Sequence, residues 1–100
     1  MKQHQSLFKA LAHEKRLKIL EWLKEPVRHF PPQVDGDLEK DGVCVLLIAE
    51  KLGVSQPTAT QHLKMLLDVG LVKARRIGKW TFISRDDTAI HAVRQIIDDL

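Results

Sequence analysis

Between Ser55 and Lys64 the sequence reads SQPTATQHLK, with amides and hydroxyls recurring among apolar residues. Gln56, Thr58, Thr60 and Gln61 carry groups that match base edges. A Gln amide can bind adenine through two hydrogen bonds, and a Thr offers a hydroxyl and a methyl. Ser55 stands where it can cap a helix and present a hydroxyl or backbone N–H to a phosphate. Lys64, Arg75, Arg76 and Lys79 add cations, and the segment 73–85 that holds the last three contains no acid. Each alone is an ordinary solvated charge. Grouped behind the same helix, they point to a nucleic-acid backbone.

Other reactive residues lead less far. Cys44 is the single cysteine, which excludes an intramolecular disulfide framework and fits a reducing cytoplasm. It reads as a small buried hydrophobe or, if exposed and activated, a thiol switch. Asp37, Glu39, Asp41 and Gly42 suggest the start of a calcium loop, but the position for the bidentate carboxylate falls on Ile48. A solvated acidic loop is the better reading. No phosphate loop, nucleophile elbow or paired-carboxylate signature occurs, so neither an enzyme nor a cofactor is expected.

The elements that position the polar run can be read from periodicity. Residues 46–69 divide into two short helices. Leu46, Ala49 and Leu52 mark one face of the first, Gly53 ends it, and Val54 can fill the angle. Ser55 starts the second, with Pro57 in its first turn and Ala59, Leu63 and Leu66 along its inner face. His62 lies at the edge of that face. Small residues at Ala49, Gly53 and Ala59 allow the close crossing of a helix-turn-helix. Residues 71–77 and 80–84 then read as strands joined at Gly78–Lys79, a hairpin signal.

Upstream, residues 3–12 form a helix with Leu7, Phe8 and Leu11. The interruption at His13 and Glu14 allows one bent helix or two. Leu17, Leu20 and Leu23, flanked by Ile19 and Trp22, continue helically until Pro26. Residues 26–42 show no period and read as a long loop tacked down by Val27, Phe30 and Val34. Val43, Cys44 and Val45 are extended. Downstream, Asp86 or Asp87 starts a final helix with Ala89, Ile90, Val93, Ile97 and Leu100 on one face.

One hundred residues, 44% hydrophobic with net charge +3, fit a single globular domain over 1–100. No apolar run reaches the length of a membrane span, and no secretory signal is visible at MKQHQS. The expected fold is mainly α with a small β-hairpin, in the order ααααββα: a winged helix-turn-helix with the wing at 71–84. Leu7, Phe8, Leu11, Ile90, Val93, Ile97 and Leu100 put apolar surface on the first and last helices. A homodimer would bury it.

FKALAHEKRLKILEWL and CVLLIAEKLGVSQPTATQHLKMLLDVGLVKARRIGKWTFI together resemble the ArsR/SmtB family of winged-helix transcriptional repressors. The resemblance implies a cytoplasmic homodimer that binds a palindromic operator in double-stranded DNA and leaves it when an effector binds. Metal or arsenic sensors in the family often carry a CVC motif followed by Asp. Here the run is Cys44-Val45-Leu46-Leu47, which lacks the second thiol and the acid. Their other common site pairs Asp and His on the last helix, where this chain offers Asp86, Asp87, His91, Asp98 and Asp99 at the wrong spacing. No metal site is therefore expected. The effector has no residue signature, which leaves open metal- or redox-responsive use of Cys44. The competing class is a winged-helix protein-interaction module without DNA, against which the basic wing argues.

Overall fold

A computed structural model describes residues 2–100. In chain order the elements are α1 (Lys2–Leu11), α2 (Glu14–Lys24), α3 (Pro26–His29), β1 (Val43–Cys44), α4 (Val45–Leu52), α5 (Gln56–Asp68), β2 (Val72–Ile77), β3 (Trp80–Arg85) and α6 (Asp87–Asp98). The three strands form an antiparallel sheet ordered β1-β3-β2. This is a winged helix-turn-helix whose wing has gained a third strand. Among the described residues, no helix is long and apolar enough to cross a membrane.

His13 settles the break between the first two helices. Its backbone is extended at φ −152° and ψ 127°, and its Nδ1 accepts from the N–H of Lys15 at 3.1 Å. The imidazole therefore caps α2 and makes two helices of the segment. Along α2, the buried residues are Arg16, Ile19, Leu20 and Leu23. Leu17 belongs to the opposite side and is 50% exposed, contrary to its expected place in the stripe.

Residues 26–42 are more structured than their lack of period suggested. Pro26 occupies the first turn of α3, where its missing N–H costs nothing, and the N–H of Phe30 closes the turn on the Pro26 carbonyl at 2.9 Å. Phe30 alone of the three expected anchors is buried; Val27 and Val34 are 61% and 98% exposed. The anchoring falls to polar groups instead. The Gln33 amide donates to the Gly42 carbonyl at 2.6 Å and accepts from the Cys44 N–H at 3.0 Å. One side chain thus satisfies the outer edge of β1 as a neighbouring strand would. Asp37 accepts from the N–H groups of Glu39 and Lys40, and Asp41 accepts from that of Asp37.

In α4, Val45, Ile48 and Ala49 are buried, whereas Leu46 is 40% exposed and Leu52 half-buried. The inward face is thus displaced from the expected Leu46–Ala49–Leu52 line. The helix begins at Val45, directly after the strand, so Val45 and not Leu46 occupies the inward first turn. Gly53 adopts φ 72°, with its N–H on the Glu50 carbonyl and the Val54 N–H on that of Ala49, both at 3.1 Å. That pair of bonds is the Schellman ending, and it turns the chain into α5. Ala59, Leu63 and Leu66 of α5 face inward, each at most 2% exposed. In the last helix, Asp86 caps through the Ala89 N–H at 3.0 Å.

The expected outer faces of the first and last helices need one correction. Leu7 packs into the core beside Ala10, because this pair, one turn apart, points at α2. Phe8, Leu11, Ile90 and Val93 are half-buried, while Ile97 and Leu100 are 52% and 73% exposed. No residue of α6 is buried.

Two glycine substitutions separate conformational strain from collision. A Cβ on Gly53 meets nothing within 4 Å, so Gly53→Ala should cost only the strain of a positive φ. That is ~1–2 kcal/mol, lowering the thermal midpoint by roughly 4–15 °C. At Gly42, with φ 107°, a Cβ would sit 2.5 Å from the Ile83 carbonyl oxygen. Gly42→Ala should therefore destabilise more than Gly53→Ala in the same thermal melt.

Candidate nucleic-acid interface

Ser55 starts the exposed helix. Its Oγ accepts from the Thr58 N–H at 3.3 Å and donates to the Thr58 Oγ1 at 3.0 Å. The first turn of α5 has no acid, so its N-terminal dipole is unopposed and favours an anion. Gln56, Thr60, Gln61 and Lys64 are exposed; Thr58 is half-buried with its hydroxyl engaged in the cap. Ala59, Leu63 and Leu66 hold the opposite face in the core, which is why the polar face must point outward.

The wing is a hairpin in which Ile77 pairs with Trp80 across the Gly78–Lys79 turn. Side chains alternate between its faces. Arg76 lies at the tip, with its Nε donating to the Gly78 carbonyl at 3.1 Å. The Lys79 ammonium stands 5.6 Å from the centre of the Trp80 ring. Arg75, expected as a free tip cation, takes the other face and meets Asp41 of the long loop at 3.1 Å. Lys64 also has a partner, Asp68, at 3.2 Å. Both pairs leave their basic side chains well exposed, so they are weak and open to exchange for phosphate.

Between α5 and the wing runs a groove of about 410 Å³, whose walls include Gln56, Thr60 and Lys64 on the helix and Lys79, Trp80 and Thr81 on the hairpin. The structure therefore unites two expected base-reading residues and two expected backbone cations. Ser55, Thr58, Gln61, Arg75 and Arg76 do not line this groove. Gln61 is exposed elsewhere on α5, and Arg75 is drawn toward the loop.

Cys44 is half-buried, and it borders both this groove and a smaller cavity of about 240 Å³. The cavity is walled by Leu46, Leu47, Trp80 and Phe82 with the loop residues 32–35. Gly36 lies against the Phe82 ring, where a Cβ would approach within 2.6 Å, so the loop covers this face of the sheet. Among the described residues no three His, Cys, Asp or Glu side chains cluster as metal ligands. His91, Asp98 and Asp99 are exposed.

Three residues shape the site through contacts that sequence reasoning did not anticipate. Gln33 closes the outer edge of β1 beside the smaller cavity, and Asp41 redirects Arg75. Arg16 is buried and contacts His62, which faces α2 rather than the outside. A signal existed for Arg16 alone: a cation in line with Ile19, Leu20 and Leu23 at helical spacing. The other two form contacts across the fold that no local pattern contains.

A family model described as a helix-turn-helix domain matches residues 11–75. The chain is 55% identical over 84 residues to YbzH, an HTH-type transcriptional regulator of Bacillus subtilis (strain 168), with 84% of each chain covered. It is 27% identical over 93 residues to the arsenical resistance operon repressor of the same organism, covering 93% of this chain and 75% of that one. Among solved structures, the homodimeric winged helix-turn-helix DNA-binding domain Mb0332 of Mycobacterium bovis, a possible ArsR-family regulator, superposes with a TM-score of 0.66. Identity there is 28%, covering 98% of this chain and 80% of the other.

The cap offers a direct measurement of how the exposed helix is started. Ser55→Ala removes the acceptor for the Thr58 N–H and should cost ~1 kcal/mol in equilibrium denaturation, with Ser55→Gly costing only a few tenths. No measurable loss in Ser55→Ala would show that the hydroxyl does not hold this helix end.

Proposed function

The chain belongs to the ArsR family of DNA-binding helix-turn-helix transcriptional regulators, and from that premise we propose that it is a cytoplasmic repressor that binds a palindromic operator as a homodimer and leaves it when an effector binds. It is a regulator and not an enzyme. The observation that carries the DNA reading is the groove in which Gln56, Thr60 and Lys64 of the helix face Lys79 of the wing.

In this reading α5 enters the major groove and the wing lies over the adjacent backbone. Gln56, Thr60 and Gln61 address base edges. Thr58 assists through its methyl, since its hydroxyl serves the cap. Ser55, Lys64, Arg76 and Lys79 meet phosphates, and Arg75 joins them once it exchanges Asp41 for phosphate. Phe8 and Leu11 with Ile90, Val93, Ile97 and Leu100 form the dimer face, from which Leu7 is withdrawn. The homodimeric state of the Mycobacterium bovis domain supports the homodimer itself. Two recognition helices would then meet successive major grooves, about 34–36 Å apart.

A second reading concerns the effector. Cys44 borders both cavities, so oxidation or modification there could be felt at the wing. It predicts that oxidant weakens DNA binding by the wild type and not by Cys44→Ser. A wild type that binds equally with and without oxidant would exclude the thiol switch.

The main reading is tested by fluorescence anisotropy on a duplex selected from random DNA and on an unselected one, over a salt series. Gln61→Ala should lose ~1–3 kcal/mol of discrimination between them. Lys79→Ala should weaken both equally and reduce the salt slope by about one. A wild type that binds neither duplex at low salt would point to a protein-interaction module, and equal losses on both duplexes for Gln61→Ala would remove it from base reading.

A further inference from the structure

Arg16 is a charged side chain buried at 8% exposure in a core otherwise made of apolar groups. Its guanidinium has three partners. Nε donates to the Ala10 carbonyl at 2.6 Å and Nη2 to the Lys9 carbonyl at 3.2 Å, both near the C-terminal end of α1. Those carbonyls carry the negative end of the helix dipole, so the cation is well placed there. The third contact runs from Nη1 to Nδ1 of His62, at 3.1 Å, in the middle of α5. One side chain on α2 therefore ties together the corner of α1 and the recognition helix.

The chemistry of the third contact fixes a protonation state. A guanidinium only donates, so Nδ1 of His62 must hold a lone pair, with the ring neutral and its proton on Nε2. The ring of His13 lies 4.6 Å away, centre to centre, and its own Nδ1 accepts from the Lys15 N–H. The groups that act on His62 are thus His13, Arg16 and Lys15, all basic. Neither α1 nor α5 supplies a carboxylate to this corner. Burial first, and then His13, Arg16 and Lys15, hold the His62 pKa below its usual 6.5.

We propose that Arg16 is a positioning residue for the recognition helix, holding α5 to the α1–α2 corner through neutral His62, and that protonation of His62 releases this hold and weakens DNA reading. His62 directly follows Gln61, so a small rotation of α5 displaces the side chains that face bases. The proposal rests on the DNA-binding reading above. A proton on Nδ1 turns the acceptor into a donor and sets a second positive charge against a buried one. Because the folded pKa lies below the unfolded value, the neutral link is complete above about pH 6.5. It is lost as pH falls from there through the lowered folded value.

The test uses the full chain, a fluorescent 30-base-pair duplex recovered by selection from random DNA with the wild type, and an unselected duplex of the same length. Wild-type affinity for the selected duplex should be flat from about pH 7 to 8.5 and fall progressively below about pH 6.5, by no more than about tenfold at pH 5.5 because a single proton on a group with a lowered pKa is involved. Binding to the unselected duplex at low salt should change much less. His62→Gln keeps an acceptor that cannot be protonated in this range. It should keep neutral-pH affinity within about threefold and flatten the profile. His62→Leu leaves the guanidinium without its third partner and should lose at least tenfold on the selected duplex already at pH 7.5. Histidine ring carbon and nitrogen shifts read the tautomer directly, independent of DNA. A His62 that carries its proton on Nδ1 at pH 7.5, or an unchanged pH profile in His62→Gln, would overturn the proposal. A wild type that binds neither duplex would instead refute the DNA reading beneath it.

Discussion

The fold depends on how closely the backbone at Gly42 approaches Ile83. There the chain comes so near the central strand that a single methyl would strike its carbonyl. Only because that residue lacks a Cβ can Val43 and Cys44 pair with Ile83 and Phe82 on β3. Strand β1 runs straight into α4, and β3 is half of the wing. Two residues of pairing therefore join the helix-turn-helix to the hairpin as one body. The distance across the groove between Gln56 or Thr60 and Lys79 is consequently set by a sheet and not by a flexible connection. A loop in place of β1 would leave each half intact and the groove undefined.

Charge is distributed on this frame in an uneven way. The long loop delivers Asp41 to Arg75, and α5 supplies Asp68 to its own Lys64, while Arg76 and Lys79 at the hairpin tip have none of the ion pairs observed among the described residues. Exposed pairs of this kind are worth at most about 1 kcal/mol. They hold the cations near the surface without committing them. Phosphate can replace the carboxylates at small cost, and the tip needs no exchange at all. The loop thus does two jobs: its Gly36 face covers Phe82, and its carboxylate tempers one face of a basic wing.

What the sequence revealed, and what it hid, follows from the range of the interactions. Gly53, Ser55 and Ala59 act within a few residues of themselves, so the turn, the cap and the buried face of α5 were legible from spacing alone. The hairpin at Gly78–Lys79 was legible for the same reason. The third strand was visible only as an extended piece, because its partner lies forty residues downstream at Phe82 and Ile83. Gln33 acting as a substitute strand and Asp41 reaching Arg75 are likewise invisible to local pattern. The shift of the α4 face from Leu46 to Val45 shows how a strand ending one residue early re-phases a short helix. Of the interface, the exposed polar face of α5 was readable; which of its residues share a groove with the wing was not.

Arg16 raises a question of design that burial alone does not answer. An apolar residue of similar volume would fill its place without desolvating a charge, and such replacements are often neutral or stabilising. An apolar side chain, however, is indifferent to small rotations of its neighbours. A guanidinium with two backbone carbonyls and an imidazole nitrogen as partners is directional and accepts one arrangement of the α1 corner against α5. The helix that turns its polar face to the groove is held on its other side by this contact as well as by Ala59, Leu63 and Leu66. Apolar packing sets the depth of the recognition helix, and the guanidinium sets its rotation.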